Sequence, residues 1–586
     1  MQTLDQISLL PRPRRIEPAR GSFALSRRNG TGFGPIRVDG KASDLGAQAY
    51  RLVIMPEGIA LHAADDAGVH YGNMTLRQLI RVCPDAVPCG TIEDSPDIPV
   101  RGVMLDISRD KVPTMETLFM LMDMFSEWKI NHLQLYMEHT FAYRNHRDVW
   151  AAADPLTAEE IRTLDAYCRD RFIELAPNQN SFGHMARWLK HDRYRHLAEC
   201  PDGWAKPNGI RREGPWSLDP TNPGSLELLQ ELYGELLPNF SSPNFNVGCD
   251  EAWDVGQGKS RVACESRGRD TVFLEFLSSV CDLVRSFDRV PMYWGDMVWL
   301  HKPEPSIALD RLDREAVMID WGYIRDYPFD AHGEALANAG LPFWFAPGTG
   351  AWGTLVGCNE SGFGSNRSAA RAGLAHGASG FLNTDWGDGG HWQQLPVSFS
   401  GFAAGAAMSW CEETNTDQAI REALSPHVFL DEAGVMGDLA WDLAETWQLV
   451  SENATQAGML HQVLADGTAH KPQDSVTGET LRATVDHLEA ASRRLSDPRM
   501  QRSDAGLIVS EFENGIRMAL HAARLDLAIR AERTDDATLR HVLAEDMREI
   551  IETRRQIWCV RNRAGGLADS LKILKVRAAE YTDMVA

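Results

Sequence analysis

The sequence predicts an α/β protein built around a (β/α)8 TIM barrel, with a small N-terminal α/β domain and an α-helical C-terminal domain. Three observations support this prediction. Eight short apolar runs alternate with helical stretches over about 320 residues. A hairpin pattern precedes these runs, and only helical periodicity follows them. The expected domains are residues 1–97, 98–425 and 426–586 of the 586-residue chain.

The N-terminal domain is predicted from alternating apolar residues and a turn. Apolar side chains alternate over residues 50–54 and again over 59–63, with Pro-Glu-Gly at 56–58 between them. This pattern predicts a β-hairpin. A helix is expected over Thr75–Val82, and the Pro-rich segment at 94–99 marks the boundary with the barrel.

The barrel strands are predicted from apolar runs rich in β-branched and aromatic residues. Thr157 and Glu160 form a capping box that opens a helix between two of these runs. An open doubly wound sheet is the alternative fold, but no Gly-rich phosphate turn follows the first run. The eight predicted strands are Val103–Ile107, His132–Met137, Phe172–Pro177, Phe245–Cys249, Val290–Trp294, Val317–Trp321, Phe343–Ala346 and Gly380–Asn383.

The C-terminal domain is predicted to be helical because the strand-like runs stop after about residue 425. Apolar residues keep helical spacing over 481–488, 508–520 and 543–550. The sequence leaves two roles open for these helices. They pack on the barrel, or they form the interface of a homodimer.

Composition excludes several classes of protein. A formal net charge of −23 argues against nucleic-acid binding and against an anionic membrane surface. The ten Cys show no paired spacing typical of a zinc site, which favours free thiols in a reducing compartment. The N-terminus has no apolar segment typical of a signal peptide, and no apolar run is long enough for a membrane span. We therefore expect a cytoplasmic enzyme without metal or organic cofactor.

Polar and aromatic residues collect where the predicted strands end, which is the catalytic end of such barrels. Acids follow the second, fourth and eighth strands at Glu138, Asp250, Glu251 and Asp388. Each of the last four strands is followed by a Trp. Carboxylates accept hydrogen bonds from hydroxyls, and indoles stack on sugar rings. The ends of the strands therefore predict a pocket for an uncharged, hydroxyl-rich ligand. The four residues are Trp294, Trp321, Trp352 and Trp386.

Asp250 and Glu251 are the strongest catalytic candidates. Adjacent residues at a strand end point to different sides, so the two carboxylates are expected to do different work. Glu251 is the expected general acid for a glycosidic bond. Asp250 is expected to hold a 2-acetamido group of the substrate, whose carbonyl oxygen attacks C1 with the high effective molarity of a tethered nucleophile.

Three segments resemble glycoside hydrolase family 20, the β-N-acetylhexosaminidases that work by substrate-assisted retention through an oxazolinium intermediate. They are RGVMLDISR from Arg101 to Arg109, Gly183-His184, and NVGCDE from Asn246 to Glu251. The resemblance covers about residues 45–410. The segments 178–184 and 383–388 are similar to a branch that includes hexosaminidase D-like enzymes and bacterial enzymes with an extra helical domain.

The resemblance implies an exo-acting enzyme for terminal β-linked GlcNAc or GalNAc, with no cofactor. Glu251 is then the acid/base and Asp250 orients the acetamido group. Arg101 would bind the C3 and C4 hydroxyls, and His184 would lie beside Glu138. The remaining implied substrate contacts are Trp294, Trp321 and Trp386 around the acetamido group and sugar face, and Asp388 at the C4 and C6 hydroxyls.

The sequence departs from the family pattern at three places. Asn180 stands where the family has an acid, and Glu138 stands where it has Asp. No Tyr-x-Asp follows the seventh strand; Trp352 occupies that region, and Tyr323 after the sixth strand is the candidate hydroxyl for the acetamido carbonyl.

Several alternatives remain at this point. Arg101 could form a structural ion pair with Asp106 or Glu251. His139, His146 and His184 could form the metal site of an amidohydrolase-type barrel. The protein could be an inactive carbohydrate-binding barrel, or a hexosaminidase of another class that uses two Asp.

Overall fold

The computed structural model describes residues 2–25, 36–42, 44–109, 111–300, 302–450 and 458–582. The strands are β1 Arg15–Ala24, β2 Ile36–Lys41, β3 Tyr50–Met55, β4 Gly58–Ala63, β5 Ala86–Asp94, β6 Val100–Asp106, β7 His132–Met137, β8 Glu174–Gln179, β9 Gly203–Ala205, β10 Arg211–Glu213, β11 Asn244–Asn246, β12 Val290–Trp294, β13 Val317–Trp321, β14 Phe343–Ala346 and β15 Gly380–Asp385.

The α-helices are α1 Asp66–Val82, α2 Met115–Glu127, α3 Arg147–Trp150, α4 Ala158–Arg169, α5 Ala186–Leu189, α6 Asp192–Arg195, α7 Pro223–Leu236, α8 Arg261–Arg267, α9 Arg269–Arg285, α10 Asp296–Trp299, α11 Phe329–Ala339, α12 Asn359–His376, α13 Leu395–Trp410, α14 Asp417–Ala423, α15 Met436–Ala444, α16 Trp447–Val450, α17 Met459–Asp466, α18 Gly478–Arg494, α19 Ala505–Arg530, α20 Ala537–Arg561, α21 Leu567–Ser570 and α22 Lys572–Thr582. Among them, none combines the length and apolarity needed to cross a membrane.

The predicted (β/α)8 barrel is confirmed. Eight parallel strands close in the order β6, β7, β8, β11, β12, β13, β14 and β15, with β15 paired to β6 over six residues, from Gly380 to Asp385. Four strands keep their predicted bounds. The open doubly wound sheet is therefore wrong, because the closed ring leaves no sheet edge.

The fourth barrel strand is shorter than predicted. The prediction was Phe245–Cys249, but β11 ends at Asn246. Gly248 and Cys249 have φ values of +69° and +66°, which a pleated strand does not permit. The chain therefore leaves the sheet two residues before Asp250, and this bend sets the direction in which the acids point.

The N-terminal domain contains the predicted hairpin. β3 and β4 pair antiparallel in a five-stranded sheet of order β1-β5-β3-β4-β2, with Met55 opposite Gly58 across the turn. α1 begins nine residues earlier than the predicted helix, since the Asp65 side chain caps it by accepting from the Gly68 N–H at 2.8 Å. The boundaries at 97 and 425 stay predictions.

The C-terminal region is helical, as predicted, and packs on the barrel. The carbonyl of Arg561 accepts the N–H of Thr114 at 2.9 Å and the hydroxyl of Thr117 at 2.8 Å, both at the start of barrel helix α2. Arg561 itself is paired with Glu511 at 2.8 Å, and both side chains are buried. The helices therefore take the first of the two predicted roles, which is packing on the barrel. The homodimer stays a prediction.

A buried ion pair joins the N-terminal domain to the base of the barrel. The Nζ of Lys129 lies 2.9 Å from Asp94 Oδ2, and both side chains are essentially inaccessible. The same carboxylate accepts the hydroxyl of Tyr50 at 2.6 Å and the indole N–H of Trp410 at 2.8 Å. With the backbone N–H of Arg14, which donates to Asp94 Oδ1 at 3.0 Å, four donors from both units therefore satisfy one buried charge.

We predict that Asp94→Ala lowers the free energy of unfolding by about 3–5 kcal/mol, because it leaves Lys129 charged and buried without its partner. The measurement is equilibrium unfolding in urea. Glu489→Ala is the matched control. Glu489 pairs with Arg524 at the solvent-exposed surface, and such a pair contributes about 1 kcal/mol or less to stability. Equal losses in the two variants would contradict the prediction.

Candidate active site

The site is built where the barrel strands end. β6, β7, β8 and β11 place Asp106, Glu138, His184 and the pair Asp250-Glu251 within ion-pair distance of one another or of a shared cation. All but Glu251 are buried. Because parallel strands end on the same rim of a barrel, residues far apart in sequence meet there.

The backbone that carries the acids is strained. Glu251 has φ +50° and His184 has φ +58°, in a region that non-glycine residues seldom adopt. Gly183 allows the two segments to approach, since a Cβ there would lie 2.2 Å from the carbonyl oxygen of Asp250. The N–H of Glu251 donates to Asp296 Oδ2 at 2.9 Å, which fixes the turn.

His184 lies between three carboxylates. Its Nε2 is 3.1 Å from Asp250 Oδ2 and 3.4 Å from Glu251 Oε2, and its Nδ1 is 3.3 Å from Glu138 Oε1. Burial lowers the pKa of His184, but the carboxylates, Asp250 first, outweigh it and hold the pKa well above its ordinary value. The surrounding carboxylates therefore favour the imidazolium form of the ring, although the guanidinium of Arg109 also lies 3.2 Å from Nδ1.

Asp250 is buried and held from two sides. His184 approaches one oxygen, and the Nδ2 of Asn180 donates to the other at 3.0 Å. Burial raises the pKa of Asp250, yet the charge of His184 and these contacts lower it below its ordinary value. The departure at Asn180 thus gives a neutral donor to Asp250, where a carboxylate would repel it.

Glu251 is the acid that faces outward, with 37% of its side chain exposed. Its carbonyl oxygen accepts the indole N–H of Trp216 at 2.8 Å. Burial raises the pKa of Glu251, but contact with His184 lowers it overall. A fixed, buried carboxylate and an accessible one thus stand side by side, as their adjacency in the sequence predicts.

Arg109 is the residue that sequence reasoning missed. Its guanidinium lies 3.1 Å from Asp106 Oδ2 and 3.4 Å from Glu138 Oε1, and it stacks over the rings of Tyr136 and Trp386. Burial raises the pKa of Glu138, but Arg109 and then His184 lower it to about 2. Since Arg109 follows the first strand, the rule that chemistry lies after the strands could have identified it.

The prediction that Arg101 binds sugar hydroxyls is wrong. Arg101 is the second residue of β6 and lies at the opposite end of the barrel, with 0% exposure. Its guanidinium donates to the carbonyls of Ile98, Pro99 and Lys129 and to Gln48 Oε1, at 2.9–3.0 Å. It pairs with neither Asp106 nor Glu251, so the alternative ion pair is also wrong.

The predicted aromatic residues meet in one cluster above the barrel core. Trp321 and Tyr323 stack at 5.1 Å between ring centroids, Trp352 meets Tyr323 edge-on at 5.0 Å, and Trp294 lies 6.0 Å from Trp386. The Tyr323 hydroxyl accepts the indole N–H of Trp386 at 2.8 Å. A tyrosine hydroxyl from the sixth strand therefore reaches the same wall as the Trp from the eighth.

The loop after β15 carries Asp388, which is exposed at the rim. This loop is tied down at two points. The N–H of Gly387 donates to Asp106 Oδ2 at 3.0 Å. Arg554 of α20 donates to the carbonyls of His391 at 2.6 Å and Trp392 at 3.0 Å. The C-terminal helices thus hold the loop beside the acids.

The amidohydrolase-type alternative is wrong, because its three histidines do not converge. His184 pairs with the acids, whereas His146 Nδ1 meets the Tyr194 hydroxyl at 2.6 Å. Within the described ranges, the one group of side chains spaced to hold a metal is His146 with Glu231 and Glu235, which includes neither His139 nor His184.

Comparison with known families agrees with this geometry. The family model "Glycosyl hydrolase family 20, catalytic domain" matches residues 99–428, and "Glycosyl hydrolase family 20, domain 2" matches residues 27–95. The chain belongs to glycosyl hydrolase family 20. The fold and site therefore define a glycoside hydrolase.

Individual relatives are more distant. A beta-hexosaminidase of Akkermansia muciniphila is 27% identical over 320 residues, which is 49% of this chain and 62% of that protein. Beta-hexosaminidase subunit A1 of Dictyostelium discoideum is 30% identical over 43% of this chain and 49% of that protein. Hexosaminidase D of Bos taurus is 25% identical over 40% of this chain and 66% of that protein. The matches span about half to two thirds of these relatives, and the hexosaminidase D-like branch stays a prediction.

Solved structures share the fold. The chitobiase of Flavobacterium johnsoniae has a TM-score of 0.60 at 16% identity and covers 98% of this chain and 100% of that one. A crystal structure of a beta-N-acetylhexosaminidase has a TM-score of 0.58 at 20% identity, over 72% of this chain and 94% of that one. The first match extends the similarity in fold to the C-terminal helices.

We predict that Arg109→Ala lowers the free energy of unfolding by about 3 kcal/mol or more at pH 7, because Glu138 and Asp106 lose their shared cation. The deficit is expected to shrink by pH 5. In the intact protein the pKa of Glu138 is about 2, which is below its value in the unfolded chain. The ionised carboxylate therefore stabilises the fold fully above the unfolded pKa, and this stabilisation is lost as the pH falls toward 2. In the variant, burial raises that pKa and the carboxyl protonates earlier.

Urea unfolding at pH 7 and pH 5 measures the difference. Arg147→Ala, at an exposed position on α3, is the control for loss of an arginine. A deficit that is the same at both pH values would contradict the assignment of the charge at Glu138 to Arg109.

Proposed function

We propose that this protein is an exo-acting β-N-acetylhexosaminidase that removes terminal non-reducing β-linked GlcNAc or GalNAc with retention of configuration. The carrying observation is the pairing of a buried Asp250, held by Asn180 and His184, with an accessible Glu251. A retaining glycosidase of the usual kind brings two carboxylates from opposite sides of the anomeric carbon, one as nucleophile. Adjacent acids on one loop fit a reaction in which the substrate supplies the nucleophile.

In the first step, the carboxylic acid of Glu251 gives its proton to the glycosidic oxygen, and the C1–O bond breaks. The carbonyl oxygen of the 2-acetamido group forms a bond to C1 from the opposite face, which gives an oxazolinium ion. Asp250 accepts the acetamido N–H and stabilises the positive charge that develops there. Since Asp250 is already ionised and fixed, little reorganisation is required.

In the second step, the Glu251 carboxylate takes a proton from water, and the oxygen of that water attacks C1. The bond between C1 and the acetamido oxygen breaks, and the acetamido group is restored. Two inversions at C1 give net retention. The contact of His184 with Glu251 favours the carboxylate that this step needs.

The aromatic cluster is proposed as the wall of the acetamido and sugar subsite. Trp294, Trp321 and Trp386 offer apolar faces to the ring, and Tyr323, with its hydroxyl beside Trp386, is the proposed donor to the acetamido carbonyl. Trp352 supports Tyr323 edge-on. Arg109, Glu138 and Asp388 are the proposed partners of the sugar hydroxyls.

An inactive carbohydrate-binding barrel is the alternative, and it is not favoured. A binding site has no need for an accessible acid next to a buried, charge-compensated one. The strained φ at Glu251 and the hydrogen bond from its N–H to Asp296 would also have no purpose in a site that only binds.

Two further properties are proposed, the compartment and the oligomeric state. The ten cysteines are free thiols, which fits a reducing, cytoplasmic compartment. Val542, Val560 and Val576 are 47–58% exposed on the C-terminal helices and offer apolar surface for a homodimer. Sedimentation velocity of the purified chain tests the dimer. The net charge of −23 favours no nucleic-acid partner.

Glu251→Gln tests the function directly. We expect wild type to release 4-nitrophenol from its β-GlcNAc and β-GalNAc glycosides but not from the β-glucoside, which lacks the acetamido nucleophile. The variant is expected to lose about 10²–10⁴-fold in kcat/KM on N,N′-diacetylchitobiose, and less on the nitrophenyl glycosides, whose leaving group needs little protonation.

Glu227→Gln, at an exposed position of α7, is the control and should behave as wild type. Undiminished hydrolysis of chitobiose by the Glu251 variant would show that Glu251 is not the general acid. Equal rates on the glucoside and the acetamido sugars would remove substrate assistance.

The pH profile tests the role of His184. The alkaline limb of kcat/KM follows deprotonation of Glu251 in the free enzyme. His184 lowers the pKa of Glu251, so His184→Gln is expected to raise it and to move that limb to higher pH by about one unit, while kcat falls because Asp250 loses its partner. His376→Gln, whose partner is the exposed Asp330, is the control. An alkaline limb that stays in place would show that His184 does not set the ionisation of the acid.

A further inference from the structure

A second cavity opens directly beside Glu251, outside the aromatic cluster. It has a volume of about 250 Å³ and is formed largely by the β9–β10 hairpin, which is inserted between β8 and α7. Its walls include the three indoles of Trp204, Trp216 and Trp253, with Lys206 and Arg212 as the cations. None of these residues has a role in the reaction proposed above.

Trp216 connects this cavity to the reacting groups. Its indole N–H donates to the carbonyl oxygen of Glu251 at 2.8 Å, and its ring centroid lies 4.3 Å from that of His184. The cavity therefore begins at the acid that protonates the leaving oxygen. A group on the far side of that oxygen enters this space, so its occupant is the leaving group of the substrate.

Arg212 is unusual because the carboxylates around it, Glu138, Glu251 and Asp254, act on its charge only from a distance. Its guanidinium lies 3.9 Å above the ring of Trp216, and across the described ranges it makes no hydrogen bond or ion pair. Neighbouring arginines are engaged, as Arg211 shows by its 3.1 Å pair with Glu213. A half-buried cation with free donors is costly unless a ligand supplies the opposite charge.

The balance of charge at this cavity contrasts with that of the whole chain. The protein carries a net charge of −23, yet the charged residues that line the cavity are two cations, Lys206 and Arg212, and a single acid, Glu251. Indole faces bind the apolar face of a sugar ring, and a planar guanidinium binds a carboxylate or sulfate with two parallel hydrogen bonds. Both requirements are met by one kind of group.

We infer that this cavity is a leaving-group subsite selective for an anionic sugar residue, one that carries a carboxylate or sulfate, with Arg212 as the specificity-determining residue. The inference rests on the proposed hexosaminidase activity. Lys206 adds long-range attraction at the exposed rim, while Trp204, Trp216 and Trp253 supply the stacking surface.

The test uses a pair of chromogenic β-N-acetylglucosaminides, one with 4-nitrophenol and the other with 3-carboxy-4-nitrophenol as leaving group. The measured quantity is the ratio of kcat/KM for the carboxylated over the neutral substrate, so that intrinsic reactivity cancels between variants. Arg212→Gln is expected to lower this ratio roughly tenfold or more, the size of a charge-assisted hydrogen bond. Arg212→Lys should retain part of the preference, and added salt should weaken it in wild type.

Arg211→Gln is the matched control on the same strand, since its side chain is exposed and bonded to Glu213 and the Asp202 carbonyl; its ratio should equal that of wild type. Hydrolysis of both substrates with a ratio unchanged by Arg212→Gln would overturn the subsite and leave the proposed activity standing. Failure of wild type on both substrates would overturn the proposed activity, and the subsite with it.

Discussion

The charge of His184 is the interaction on which the rest of the site depends. Four carboxylates meet above the barrel, at Asp106, Glu138, Asp250 and Glu251, and their mutual repulsion in a partly dry site would protonate some of them. His184 and Arg109 are the two cations that lower the pKa of three of them, Glu138, Asp250 and Glu251, whereas burial still raises the pKa of Asp106. His184 contacts both catalytic candidates at once, so a single ring sets the charge of the acid and the position of its neighbour.

The backbone contributes a second constraint. The φ values of His184, Cys249 and Glu251 all fall in the left-handed region, and each costs about 1–3 kcal/mol. Rigid surroundings must supply that free energy, and the barrel does so through the pairing of Asn246 with Asn178 just below the acids. Asp296, whose pKa is raised by burial and then by the charge of Asp250, anchors the turn by accepting from Glu251.

The sequence predicted the structure correctly wherever a local pattern of residues determines it. Apolar runs bounded by turn residues predicted all eight barrel strands, and the acids after β11 were found because they follow a strand. Arg101 and Arg109 show where local patterns stop being sufficient. Arg101 lies at the start of β6 and therefore at the base of the barrel, whereas Arg109 follows the end of β6 and lies at the rim. The cavity around Arg212 lay beyond prediction, because Trp204, Trp216 and Trp253 come from different segments that meet only after folding.

The hydrogen bonds from Arg554 to the loop after β15 limit how the C-terminal helices can be exchanged without changing the barrel. Its donors fix the carbonyls of His391 and Trp392, and the His391 ring in turn contacts the Arg109 carbonyl at 3.0 Å. The geometry of the rim where the acids lie therefore depends on Arg554 of α20, which is 162 positions downstream of Trp392. Exchange of the C-terminal region by recombination would therefore alter the geometry of the rim that carries the candidate site while leaving every barrel residue in place.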